Sequence, residues 1–359
     1  MCTVLKMDKD AVVDMDKITN GDASGKKAKL GEVGKWIIED GENVPLDVKQ
    51  AFLLPAWYDE KKFKRGQKYF ADNYFSLFVA KLCGLLVVLA VPSILRVLVL
   101  TGQSSHPVSA FRRYLDTISH MLEWYEGDVM NPNSRASKSL LNIRSRHCHA
   151  TRRATKAGFS NISQRDMALT QFGFMGFAVL RPKELGLTGS QEDLEGFLHF
   201  WRVIGHLLGI KEQYNLCQGD VETTRAACQA MLDRVFNVGL RQPSADFQHM
   251  SRALLEGMWA LVPFINPEAF LSFTLLLCGI DTFQLSKFYS RTLFNLQVFI
   301  QAVILNSVIG FIVRPILNFN MWLSIFITQR FPYLAFLAFG RSITPPEQFT
   351  IKSSLVSEN

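Results

Sequence analysis

The stretch RSRHCHATRR, residues 144–153, sets two histidines, a cysteine and four arginines side by side, and no acid occurs from Val129 to Arg165. A neutral imidazole can ligate a metal, and guanidinium groups pair with carboxylates or phosphates through fixed N–H forks. The chemistry on offer is anion binding, metal ligation, or both together.

Residues two apart on an α-helix are rotated by about 200°, so His147 and His149 cannot grip one metal jointly. His147 falls with Leu140, Ile143, Ala150 and Ala154 on an apolar stripe, whereas His149 falls with Arg146 and Arg153. The plainest reading is a hydrogen-bonded core histidine beside a solvated arginine face. A sharper one is a site for a ligand with two carboxylates and an iron, the outline of haem. The basic run also has the electrostatic footprint of a nucleic-acid binder. No nucleic-acid motif accompanies it and the surrounding chain is strongly apolar, so a nucleic-acid partner is not expected.

Other chemistries find no support. The six cysteines form no CxxC pair, which argues against zinc, a dense disulfide framework and covalent c-type haem attachment. There is no GxSxG or Walker A motif, and the glycines of GFMGF at 173–177 suit close helix packing. His206, in WRVIGHLLGI, reads as a core or pocket histidine.

The elements that must position the basic stretch are helical. From Trp57 onward apolar residues recur at helical spacing and strict alternation is missing, which predicts an all-α, single multi-helix domain over residues 46–340. Polar tails flank it at 1–45, expected to be disordered, and at 341–359. The pattern predicts helices over 67–100, 108–130, 137–156, 164–180, 191–208, 221–238, 245–262, 267–278 and, in one or two pieces, 284–331. Ser190 with Asp193 resembles a capping box.

Hydrophobic residues reach 48 %, with 28 phenylalanines, which suits a protein that sits on or partly in a membrane. The apolar run at 76–100 is interrupted by Lys81, Pro92 and Arg96, so it reads as a buried or interfacial helix rather than a span. The run at 293–313 is uncharged but carries Asn295, Gln297, Gln301 and Asn306, and suits a membrane-contacting helix or a core helix equally. The N-terminus has no apolar region of the kind a cleavable signal peptide needs, so an intracellular, membrane-associated body is expected.

Four stretches together resemble a known family: FKRGQKYF with the long apolar segment ending in VLTG, RYLDT at 113–117, RHCHATRR at 146–153, and FWRVIGHLLGIKEQYN at 200–215. In order and spacing they are similar to the haem-dependent oxygenase domain shared by latex-clearing proteins and the fungal endoplasmic-reticulum oxygenase of mycophenolic acid biosynthesis. The resemblance implies a haem b site between helices. It makes His149 the iron ligand, Arg146 and Arg153 its cofactor-binding neighbours, and Arg113, Asp116 and Thr117 the residues on the opposite side. Asp116 stands where latex-clearing proteins have a lysine, which leaves open a proton-relaying role or a loss of chemistry. The implied activity is oxidative attack by dioxygen on a C=C bond of an apolar, isoprenoid-like lipid, at a membrane such as the endoplasmic reticulum. The alternative is a non-catalytic haem or lipid binder. Periodicity thus turns His147 inward, whereas the resemblance selects His149.

Overall fold

Helices predicted from apolar spacing form in the computed structural model, and the residues that interrupt the spacing decide where they end. The structure describes residues 34–46, 52–159, 161–263, 265–281, 285–331 and 333–340. Among them there are helices, turns and one isolated bridge between Pro45 and Ser163, with no strand. The chain is all-α and forms a single helical domain. A first helix, α1, occupies residues 34–43, inside the stretch expected to be a polar tail. It is held because Trp36 stacks on Tyr214 and the Tyr214 hydroxyl donates to Asp40. The remainder of both expected tails lies outside the described residues.

The single helix expected over 67–100 is three: α2 (Glu60–Asp72), α3 (Tyr74–Leu89) and α4 (Pro92–Thr101). Asn73 makes the first corner, a 93° bend. Its amide donates to the carbonyls of Tyr69 (3.1 Å) and Thr188 (2.8 Å) and accepts from the Thr188 N–H (2.9 Å), so the corner is pinned to a distant loop. Pro92, which has no N–H to give, starts α4.

The following helices keep close to their expected bounds: α5 (Pro107–Glu126), α6 (Arg135–Lys156), α7 (Gln164–Leu180) and α8 (Gln191–Leu207). Ser190 and Asp193 form the expected capping box, and Ser163 and Asp166 form another. Next come α9 (Val221–Met231), α10 (Asn237–Arg241), α11 (Ala245–Met258) and α12 (Pro267–Leu277). The last are α13 (Phe288–Val298), which continues into a π-helical turn at Phe299–Ile304, then α14 (Gly310–Arg330) and α15 (Tyr333–Phe339).

The core sits where α2 meets α8 and α3 meets α7. These backbones approach so closely that a Cβ on Gly84 would lie 2.0 Å from the Gly173 carbonyl oxygen. Tyr125 of α5 stacks between Phe70 (3.8 Å between centroids) and Phe200 (4.2 Å). The apolar run at 76–100 is therefore core over α3, where most residues are buried. The run at 293–313 turns a large part of its apolar surface outward.

Candidate functional site

The basic stretch lies on α6, which packs against α5 with its C-terminal half beside α4. Its N-terminus is fixed by Ser134, whose side chain accepts from the Ser137 N–H (3.0 Å). The buried side of α6 follows Leu140, Arg144 and Ala154, and His147 falls on that line. The His147 Nδ1 is buried and has no hydrogen-bond partner among the described residues. Burial first, then the charges of Arg113 and Arg146, push its pKa down to about 4, so the imidazole is neutral. The Thr151 Oγ1, one turn on, is likewise buried without a partner.

His149 is exposed on the opposite side. The inward side belongs to His147, as the periodicity predicts, and the reason is the apolar stripe itself. Leu140 and Ala154 must be buried, and a helix has one phase.

Arg113, Asp116 and Arg146 come together across the α5–α6 contact. Asp116 accepts an ion-paired hydrogen bond from Arg146, and its other oxygen lies 3.6 Å from the His120 Nε2. The Arg113 Nη1 donates to Thr101 Oγ1 at the end of α4 (3.2 Å), and the Arg153 Nη2 donates to the Leu100 carbonyl (3.3 Å). Burial lowers the Arg113 pKa, with the nearby Arg146 charge acting the same way, although an arginine stays charged. The Thr117 hydroxyl donates to the Arg113 carbonyl of its own helix (3.0 Å).

His120 and Ser139 went unread in the sequence. The His120 Nδ1 is 2.7 Å from Ser139 Oγ, which also accepts from Trp124 Nε1 (2.9 Å). The available signal was Asp116 and His120 at i, i+4 on a helix whose partner helix is rich in base. Burial lowers the His120 pKa while Asp116 opposes that shift.

The fourth stretch builds structure. Gln171 Nε2 donates to the Trp201 carbonyl (2.9 Å) and to Asn215 Oδ1 (3.0 Å), and Gln171 Oε1 accepts from the Leu216 N–H (3.1 Å). Asn215 Nδ2 donates to the Arg202 carbonyl (2.9 Å), and the Arg202 Nε donates to Glu212 (2.9 Å). A Cβ on Gly205 would stand 2.6 Å from Gln171 Nε2, which is why that position has none. His206 lies edge-on to Trp57 at 5.8 Å between centroids, in a packing role.

Beyond Ile118, on a different side of α5, is an apolar cavity of about 280 Å³ walled by α3, α11, α12, α13 and α14. Among the described residues no cluster of three or more His, Cys, Asp or Glu could hold a metal unaided.

The chain belongs to the family described as ER-bound oxygenase mpaB/B'/Rubber oxygenase, catalytic domain, whose model matches residues 67–323. That makes it a rubber-oxygenase-like oxygenase domain. Among solved structures, Latex Clearing Protein LCP in the closed state shares the fold, with 16 % sequence identity and a TM-score of 0.57 over 85 % of this chain and 87 % of that one. No curated protein matches the chain.

Proposed function

We propose that this domain is a haem b-dependent oxygenase acting on an apolar, unsaturated, isoprenoid-like lipid at a membrane surface, with His147 in the ligand role that the motif gave to His149. The observation that carries the reading is the His147 Nδ1, neutral, buried and without a partner, on a helix face bordered by Arg113 and Arg146. A ligand-free imidazole is what an iron would take up, and the arginines match two carboxylates. Haem, when bound, supplies activation of dioxygen for attack on a C=C bond.

The chain's own residues supply the rest. Arg113, Arg146 and Arg153 would hold the haem carboxylates, and Thr101 and the Leu100 carbonyl keep two of those arginines in place. Asp116 Oδ1 lies 3.6 Å from His120 Nε2, near enough to favour the charged imidazole but too far to hydrogen-bond it, and Ser139 orients the ring through Nδ1. Apolar helices exclude water and admit a lipid.

The Asp116–Arg146 ion pair favours a second reading, a non-catalytic haem or lipid binder, because it ties up the carboxylate that replaces the family lysine. Full-length protein reconstituted with haem b and supplied with squalene or its saturated counterpart squalane separates the two. A Soret band with oxygen uptake on squalene alone is expected. A Soret band without uptake selects the binder, and no Soret band ends the haem reading.

The membrane part rests on α13–α15. Val308 is 94 % exposed, Phe311 86 % and Leu337 79 %, whereas several polar side chains of α14 turn inward. Arg314 donates to the Gly186 and Leu305 carbonyls (2.5 and 2.8 Å), Asn318 to the Asp72 carbonyl (2.9 Å), and Gln329 to Ser119 (2.9 Å). A helix with polar groups inside and large apolar groups outside is built for lipid. By length and composition α14 could cross a bilayer, but these bonds tie one side of it to the domain along its length, so it lies in one leaflet. The sequence from 282 to 346 has no acid and includes Lys287, Arg291 and Arg330, which suits anionic headgroups. High salt is expected to leave the protein on membranes and detergent to release it. Full recovery in the soluble fraction without detergent would remove the membrane part and leave the haem part standing.

A further inference from the structure

The cavity behind Ile118 is apolar except for a few amides, and one of these is anomalous. Gln301 is 1 % exposed, lines the cavity, and has neither its Oε1 nor its Nε2 bonded to any described residue. A buried primary amide with both ends unused is costly, and each such group in a folded protein calls for an explanation.

Local structure shows that Gln301 is held in this position. It sits in the π-helical turn Phe299–Ile304, and turns of this kind often mark functional sites. The turn is clamped from outside its own hydrogen bonding. Asn306 Nδ2 donates to the carbonyls of Gln301 (3.1 Å), Ala302 (3.0 Å) and Lys183 (2.8 Å), and Arg314 holds the Leu305 carbonyl. These bonds use backbone groups and leave the Gln301 side chain unengaged. The cavity also reaches the outer face of α13, because Leu296 lines it and is itself 49 % exposed. Leu296 belongs to the same apolar surface as Phe299 and Val303, each 50 % exposed.

We propose that this cavity binds a single-chain amphiphile, with an apolar tail against α3, α12 and α14 and a hydroxyl or carbonyl head hydrogen-bonded to the Gln301 amide. The amide offers a donor and an acceptor, so it takes an alcohol or a carbonyl and discriminates against plain hydrocarbon. A volume of about 280 Å³ holds on the order of ten non-hydrogen atoms at roughly 30 Å³ each. The ligand arrives from the leaflet past Leu296. Only this route rests on the membrane reading proposed above, and nothing here rests on haem.

The test is competition for tritiated 1-decanol bound to the full-length, haem-free protein in amphipol, using unlabelled 1-decanol or decane. Wild type is expected to prefer 1-decanol by about tenfold, the worth of one good neutral hydrogen bond. Gln301→Leu is expected to remove that preference by weakening 1-decanol and leaving decane unchanged. Ala269→Leu, which fills the cavity from α12, is expected to abolish both. Equal competition by the two ligands in wild type, unchanged selectivity in Gln301→Leu, or full binding in Ala269→Leu would each overturn the proposal. Because Gln301 is outside the α5–α6 site, Gln301→Leu keeps the same Soret band as wild type on haem addition, so loss of selectivity and loss of haem are separate outcomes.

Discussion

Two regions of this domain enclose polar side-chain atoms and use them differently. Between α7 and α8, each side-chain nitrogen and oxygen of Gln171 and Asn215 is bonded to a backbone carbonyl, a backbone N–H or the other residue. On the inner side of α6, the His147 Nδ1 and Thr151 Oγ1 have no described partner, and charged groups crowd around them. A satisfied network fixes one structure, whereas unsatisfied groups lower stability unless something else completes them. The contrast separates scaffold from site better than residue type does, since both regions came from motifs of the same family.

The largest effect is expected on the scaffold side. Gln171→Leu strands the Leu216 N–H and the Asn215 side chain, and should cost about 3 kcal/mol or more in chemical denaturation. A cost below about 1 kcal/mol would erase the distinction. Acid should act on the scaffold too, through His199, whose Nε2 accepts the Asp59 N–H (3.0 Å). Burial, outweighing the nearby Asp59, pushes its pKa down to about 4. The unfolded chain therefore takes up the proton first, so stability is whole above about pH 6.5 and falls as the pH drops toward 4. The loss through His199 should reach about 2 kcal/mol, and His199→Gln should remove that part and leave the part due to His147, whose pKa is likewise pushed down to about 4. An unchanged slope in that variant would assign the acid loss elsewhere.

On the site side the effects shrink. Asp116→Lys sets a second cation against Arg146 and should cost about 1–2 kcal/mol while altering the ferric spectrum of the reconstituted protein. An unaltered spectrum would separate residue 116 from the haem. Thr151→Val removes a hydroxyl that bonds no described residue, so haem-free stability should stay level or rise by up to ~1 kcal/mol. A clear loss would show that the hydroxyl has a partner, and that the site is less open than described.

Much of this was legible before any coordinates. Helical spacing predicted the all-α class, and the cap at Ser190 marked the start of α8. The corner at Asn73 was not legible, because it depends on a bond to Thr188 far along the chain. The start of order at α1 was missed for a similar reason, since only Tyr214 makes Trp36 and Asp40 structural. At the site, periodicity put His147 inward, as the structure does, while the motif spacing that matched Arg146 and Arg153 selects His149, which is exposed. Those two arginines still reach the neighbouring helices because their side chains are long enough to bend back from the flank of α6.

The central claim is that an imidazole held neutral and unbonded on α6 awaits haem, and the two histidines of one decapeptide test it side by side. Full-length wild type, His147→Ala and His149→Ala would each be titrated with haem b and followed by absorption. Wild type and His149→Ala are expected to give the same Soret band, and His147→Ala, still helical by circular dichroism, to give only that of free haem. A bound spectrum in His147→Ala with loss in His149→Ala would contradict the account and return the ligand to the exposed side of the helix.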